Sequence, residues 1–122
     1  QAVTQPGESV LIQPPVYPPF YKAPLTARAR VTTSEIKTDD TGEYTLNVQT
    51  FEEGIKEDTR CFVLCNPHNP IGKVYSRQEL SAMAAVCLRH DVVISRAFVS
   101  QDRFEREQTP FLLNVRREGL AV

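Results

Sequence analysis

The chain has 122 residues, 41% of them hydrophobic, which suits one compact domain with a real core and is short for two. A formal net charge of −1 gives no general attraction for nucleic acid or for an anionic membrane surface. No apolar run approaches the roughly 18 residues of a membrane span, and the opening QAVTQPGESV has neither the basic nor the apolar region of a signal peptide.

The first residue is not Met, which leads us to expect a processed chain or a piece of a longer one. Three cysteines, Cys61, Cys65 and Cys87, are too few and odd in number for a disulfide framework. They suit a reducing setting, and a cytoplasmic location is expected. Cys61 and Cys65 are not at zinc-knuckle spacing, so they read as small buried hydrophobes and no metal site is expected.

Along the chain, ESVLIQPP places a strand at Ser9–Gln13, between Pro6-Gly7 and a double proline. VYPPFYKA is a proline-stiffened turn leading to a short helix at Phe20–Ala23, which Pro24 should end early. ARARVTTSEIKTD has partial alternation and β-branched residues, so a strand is expected there. DDTGEY is a turn. NVQTFEEGIKED has Phe51 and Ile55 one helical turn apart and reads as a helix weakened by Gly54.

The pattern then sharpens. RCFVLC, Arg60–Cys65, is a continuous apolar run, as in a strand covered on both faces. The loop CNPHNPIGK follows. Ser76 and Glu79 make an S-x-x-E capping box. Leu80, Met83, Ala84, Cys87 and Leu88 then fall at i, i+3, i+4, i+7 and i+8, which predicts an amphipathic helix of about three turns. DVVIS, Asp91–Ser95, is another strand. Strand, helix, strand at this spacing is a βαβ unit with parallel strands.

In an open parallel sheet, ligands gather beyond the carboxyl ends of the strands. Val16–Phe20, Asn66–Gly72 and Arg96–Ser100 lie there. Tyr17, His68, Asn69 and Arg96 are therefore expected to converge on one crevice, with Tyr17, His68 and Arg96 as candidate catalytic groups. Pro67 and Pro70 restrict the backbone on either side of His68-Asn69. Duller readings stand beside these. The loop serves as a turn whose amides bond their own backbone, His68 as a solvated loop residue, and Tyr17 as a packing aromatic. Arg96 after an apolar strand needs an anionic or hydrogen-bonding partner.

VLIQPPVYPPFYKA and FVLCNPHNPIGKVYSRQELSAMAAVCLRHDVVIS together resemble the large domain of fold-type I pyridoxal-phosphate enzymes. Within the class I/II aminotransferase superfamily they are most similar to the MalY/PatB-like cystathionine β-lyase group. The resemblance covers nearly the whole chain and is strongest from Phe62 to Ser95. It implies a partial three-layer α/β sandwich with a mainly parallel sheet. It also implies that Tyr17 matches the aromatic stacked on the pyridine ring, and Asn69 the amide bonded to the cofactor's phenolic oxygen. The family strand matching Val92–Ser95 is followed by an Asp that pairs with the pyridine nitrogen, and then by a His or Tyr near the phenolic oxygen. Here Arg96 and Val99 stand at those places.

An Arg cannot hold a proton on the pyridine nitrogen and would repel a pyridinium. The family's Schiff-base lysine and Gly-rich phosphate turn have no match here, and Lys22, Lys37, Lys56 and Lys73 lie in other segments. The expectation is a truncated homologue of a C–S lyase or aminotransferase, without pyridoxal-phosphate chemistry and with no cofactor of its own. Its crevice would be reused for another small molecule, as in a cofactor-independent enzyme. One alternative is a fragment of an active lyase or aminotransferase. Another is a non-catalytic interaction module whose apolar faces are covered by self-association or by a partner chain.

Overall fold

The computed structural model describes residues 3–96 and, beyond them, 105, 106, 108 and 113. Its centre is β1, Ser9–Ile12, four apolar or hydroxyl residues that are all buried. Strand β1 lies between β2, Arg30–Thr33, and β5, Thr59–Leu64, and β6, Val93–Arg96, flanks β5; every pairing is parallel. The expected strands at Ser9–Gln13, Arg60–Cys65 and Asp91–Ser95 are thus present, with boundaries moved by one or two residues.

The long stretch predicted as a single strand is divided. Its middle is β2, while Lys37–Thr38 (β3) pairs antiparallel with Tyr44–Thr45 (β4) in a separate hairpin. Amides of Ser34 and Ile36 bond the carbonyls of Ile12 and Pro14, so the chain follows β1 past its end before turning away. The DDTGEY turn closes the hairpin. Asp39 Oδ1 accepts from the Thr41 and Glu43 amides at 2.8 and 3.1 Å.

Helix α1 spans Pro19–Thr26, longer than expected, and Pro24 lies inside it. Pro24 forfeits one main-chain bond, but it is the buried residue of this helix, and its carbonyl accepts from Ala29 N at 2.9 Å. In an eight-residue helix that packs on β1 and β2, burial of the ring outweighs one missing donor. Helix α2, Val48–Gly54, starts at Asn47, whose side chain accepts from Thr50 N at 2.9 Å. Gly54 has a packing role. A Cβ there would lie 2.9 Å from Leu11 Cδ1 and 3.0 Å from Thr33 O, so the helix sits directly on β1 and β2.

Helix α3, Arg77–Arg89, begins at the predicted capping box, with both reciprocal bonds formed at 2.8 and 3.1 Å. Its buried face is Met83, Val86 and Cys87, not the whole predicted stripe: Leu80 is half-buried, Ala84 is exposed and Leu88 is 83% exposed. Helix α3 packs over β6, the last strand of the described sheet.

Two cores result. On the α2–α3 face Leu11, Phe51, Phe62, Met83, Val86 and Cys87 cluster, and the Phe51 and Phe62 rings meet edge-to-face at 4.9 Å. On the other face Val10, Ile12, Val16, Cys61 and Cys65 pack with Phe20 of α1. The result is the α/β three-layer arrangement with a parallel sheet. No helix among the described residues is long and apolar enough to cross a membrane.

Candidate functional site

The strand order places β1 between β2, reached through α1, and β5, so β1 and β5 are where the winding of the sheet reverses. Crevices at the carboxyl ends of such a strand pair are the usual ligand sites of open α/β sheets. The segment 13–19 leaves β1 there, and the segment 65–75 leaves β5.

The loop after β5 is built from its own polar groups. The Cys65 thiol donates to Pro67 O at 3.4 Å and accepts from Asn69 N at 3.3 Å. Burial pushes this thiol up to about 11, so it stays protonated and able to donate near neutral pH. His68 N donates to Lys73 O at 2.8 Å and Gly72 N returns to His68 O at 2.6 Å; Gly72 has φ +69°, a left-handed conformation that suits glycine. Asn66 Oδ1 accepts from Tyr75 N at 3.2 Å. The peptide bonds before Pro15, Pro67 and Pro70 are cis.

Two side chains cross from this loop to the one after β1. Tyr75 Oη donates to Gln13 Oε1 at 3.0 Å; burial raises its phenol well above the ordinary value and keeps it protonated. His68 is 1% exposed, with Nε2 at 2.9 Å from both Gln13 O and Pro15 O, and Nδ1 at 3.2 Å from Cys65 O. Burial lowers its pKa from the ordinary 6.5, and the three carbonyls only partly oppose this. His68 is therefore neither the solvated loop residue nor an open proton-transfer group. Both of its ring nitrogens already face main-chain oxygens.

Asn69 is wholly buried, and neither Oδ1 nor Nδ2 has a hydrogen-bond partner among the described residues. An amide left so inside a protein costs about 1–3 kcal/mol per group, which suits a site whose partner is a ligand. Tyr17 is half-buried, its ring edge-to-face with Phe20 at 6.1 Å. Tyr17 and Asn69 thus lie on the two loops that leave β1 and β5 at the switch point, and the Asn69 side-chain amide has unused hydrogen-bonding capacity among the described residues.

Arg96 goes elsewhere. It ends β6 opposite Leu64 and lines a cavity of about 320 Å³ with Leu64, Asn66, Leu80, Ser81, Ala84 and Ile94. Tyr17, His68 and Asn69 are not among the described residues that line this cavity. Strand alternation explains this: Ile94 and Arg96 share the side of β6 that faces α3. Val99 lies outside the described residues.

Sequence reasoning missed Gln13, Cys65 and Tyr75 as parts of the site's framework. A signal was present in the prolines. Pro14, Pro15, Pro18, Pro19, Pro67 and Pro70 lack N–H groups, so both loops carry carbonyls in excess of donors and need side chains to supply them.

Comparison with known proteins gives a consistent result. The model of the family described as aminotransferase class I and II matches residues 1–95, ending one residue before Arg96. Cystathionine beta-lyase PatB of Bacillus subtilis is 33% identical over 114 residues, covering 91% of this chain and 29% of that protein. Kynurenine–oxoglutarate transaminase 3 of Rattus norvegicus is 33% identical, covering 76% of this chain and 22% of its own length. Among solved structures, cystalysin of Treponema denticola, which contains a pyridoxal 5′-phosphate cofactor, superposes with a TM-score of 0.74 at 30% identity. It covers 82% of this chain and 25% of that one. The chain spans less than a third of the length of these relatives.

Proposed function

The chain belongs to the aminotransferase class I and II family, and from that premise we propose that it carries the ring-holding part of a pyridoxal-phosphate site without performing the cofactor's chemistry itself. The observation that carries this reading is the buried, unpartnered Asn69 amide. When bound, pyridoxal phosphate supplies an electron-accepting pyridine ring. Tyr17 would offer a face for that ring, and the Asn69 side-chain amide would donate to its phenolic oxygen. His68 and Tyr75 hold the two loops together.

Where the resemblance implies a carboxylate for the pyridine nitrogen, the sequence has Arg96, a permanent cation with no acceptor atom of its own, which could not keep a proton on that nitrogen. The four lysines also stand apart from a reactive role: Lys22 on α1, Lys37 on β3, Lys56 donating to Glu53 O at 2.6 Å, and Lys73 paired with Glu79 at 2.9 Å. An aromatic small molecule bearing a phenolic or carbonyl oxygen is the ligand class that this half-site would take.

The test uses pyridoxine 5′-phosphate, which has the ring and no aldehyde, together with pyridoxal 5′-phosphate followed by borohydride and intact-mass measurement. Saturable binding of the first is expected, weakened about ten-fold in Asn69→Ala, the value of one charge-assisted hydrogen bond. No reduced lysine adduct is expected from the second. Absence of binding by the wild-type chain sinks the ring reading, and a stoichiometric lysine adduct sinks the claim that the chemistry is lacking.

Coverage of the relatives favours a second reading, in which the chain is one segment of a longer active lyase or transaminase. The mass of the native protein decides between them. A species of several hundred residues supports the second reading, and a 122-residue species supports the first.

A further inference from the structure

We propose that His68 is the positioning residue of the ring site, its imidazole N–H clamping the loop that carries Tyr17 onto the loop that carries Asn69. This rests on the reading of Tyr17 and Asn69 as ring-holding groups.

Segment 13–19 reads Gln-Pro-Pro-Val-Tyr-Pro-Pro, so four of its seven residues have no N–H. The loop after β5 has proline at 67 and 70. Main-chain pairing between two such loops is blocked by chemistry, because carbonyls face one another with few amides between them. A side-chain donor must join them.

His68 sits at that junction. Its Nε2 is equidistant, at 2.9 Å, from Gln13 O and Pro15 O, whereas Nδ1 meets a single carbonyl, Cys65 O, at 3.2 Å. Carbonyl oxygens only accept, so the proton of the neutral ring belongs on Nε2, shared between two acceptors. One acceptor is two residues from Tyr17 in the chain. On its own side, His68 precedes Asn69 directly and is fixed by main-chain bonds to Lys73 and Gly72. The imidazole therefore sets the spacing between the two ring-holding residues, and it does so without touching a ligand. Tyr75, edge-to-face with the imidazole at 6.1 Å, makes the other crossing through Gln13, farther from Tyr17.

Reach separates this role from a merely structural one. A glutamine amide nitrogen occupies the place of Nε2, whereas an asparagine amide nitrogen falls near Nδ1. His68→Gln should therefore keep both loops joined, and His68→Asn should not. Two readouts apply to the whole chain: affinity for pyridoxine 5′-phosphate, and hydrogen exchange at the Val16 and Tyr17 amides relative to the amides of β1 and β5. The expected result is affinity within about three-fold of wild type for His68→Gln and lost by about ten-fold or more for His68→Asn. Faster exchange at Val16 and Tyr17 is expected in His68→Asn alone, with strand protection unchanged.

Equal behaviour of the Gln and Asn variants overturns the proposal, and so does a loss of protection across all strands in both. If the wild-type chain binds no ring, the ring reading fails. The exchange pattern then decides the clamp alone: the Gln/Asn contrast at Val16 and Tyr17 supports it, and no contrast overturns it.

Discussion

The strand end at the sheet's switch point and the end of β6, the last described strand, are built differently. Beyond β5, nearly every polar group is engaged: Cys65, Asn66, His68, Lys73, Tyr75 and Glu79 each hold a named partner, and Asn69 stands out by lacking one. At the end of β6, Arg96 lines a largely apolar cavity beside α3. A loop framed by its own main chain holds an inherited geometry whether or not chemistry follows.

The largest expected effect strikes the support beneath the first region. Phe62 is wholly buried against Phe51, and Phe62→Ala should cost about 3–5 kcal/mol, read by urea denaturation. If ring binding survived that loss in the folded fraction, the loop would be independent of β5, and the contrast between the two strand ends would lose its basis.

Next comes the second region. Arg96→Asp places a carboxylate where the cation stands. If the end of β6 sets the electronics of a bound ring, the pyridine nitrogen of bound pyridoxine 5′-phosphate should rise by about one pKa unit, equivalent to about 1.4 kcal/mol. Ultraviolet titration of the complex measures it. An unchanged nitrogen would show that the Arg96 side chain belongs wholly to the α3 cavity.

Smaller still, Ser76→Ala removes the capping box at the base of the loop and should cost about 1 kcal/mol. Thermal unfolding should show it, with ring affinity unchanged. A fall in affinity would mean that the cap also orients the loop.

The smallest effect is with pH. Burial holds His68 below its ordinary pKa, with Lys73 adding to the lowering and the carbonyls of Pro15, Gln13 and Cys65 opposing it. Between the ordinary 6.5 and the folded value, the unfolded chain binds more protons. Stability should therefore be complete above about 6.5 and fall as pH drops through the folded value. The other titrating neighbour, Glu79, is pushed up by burial, but the Ser76 amide and Lys73 outweigh this and hold it low, so it acts only below 4.5. Cys65 and Tyr75, which also face the ring, stay protonated throughout. Denaturation between pH 5 and 7.5 should slope in the wild type and flatten in His68→Gln. Matching slopes would remove His68 from the pH response.

Much of this molecule was legible in its sequence, because the signals were local. Continuous apolar runs marked β1, β5 and β6, Ser76 and Glu79 marked the start of α3, and the loop with its neighbours carried the family resemblance. What depends on distant partners was not legible. Pro24 stays within α1 because its ring is buried in the fold. Gly54 is required because Leu11 and Thr33 come within about 3 Å of where its Cβ would be. Leu88, apolar and in the predicted stripe, is exposed. The candidate site divides in the same way. The sequence determined which residues stand beyond the strand ends. Only the tertiary structure decided that His68 faces the oxygens of Gln13 and Pro15, some 53 residues or more away in the chain, and that Arg96 faces α3. The physical reason is that pattern and capping are set within a few residues, whereas the direction of a side chain depends on what the fold brings against it.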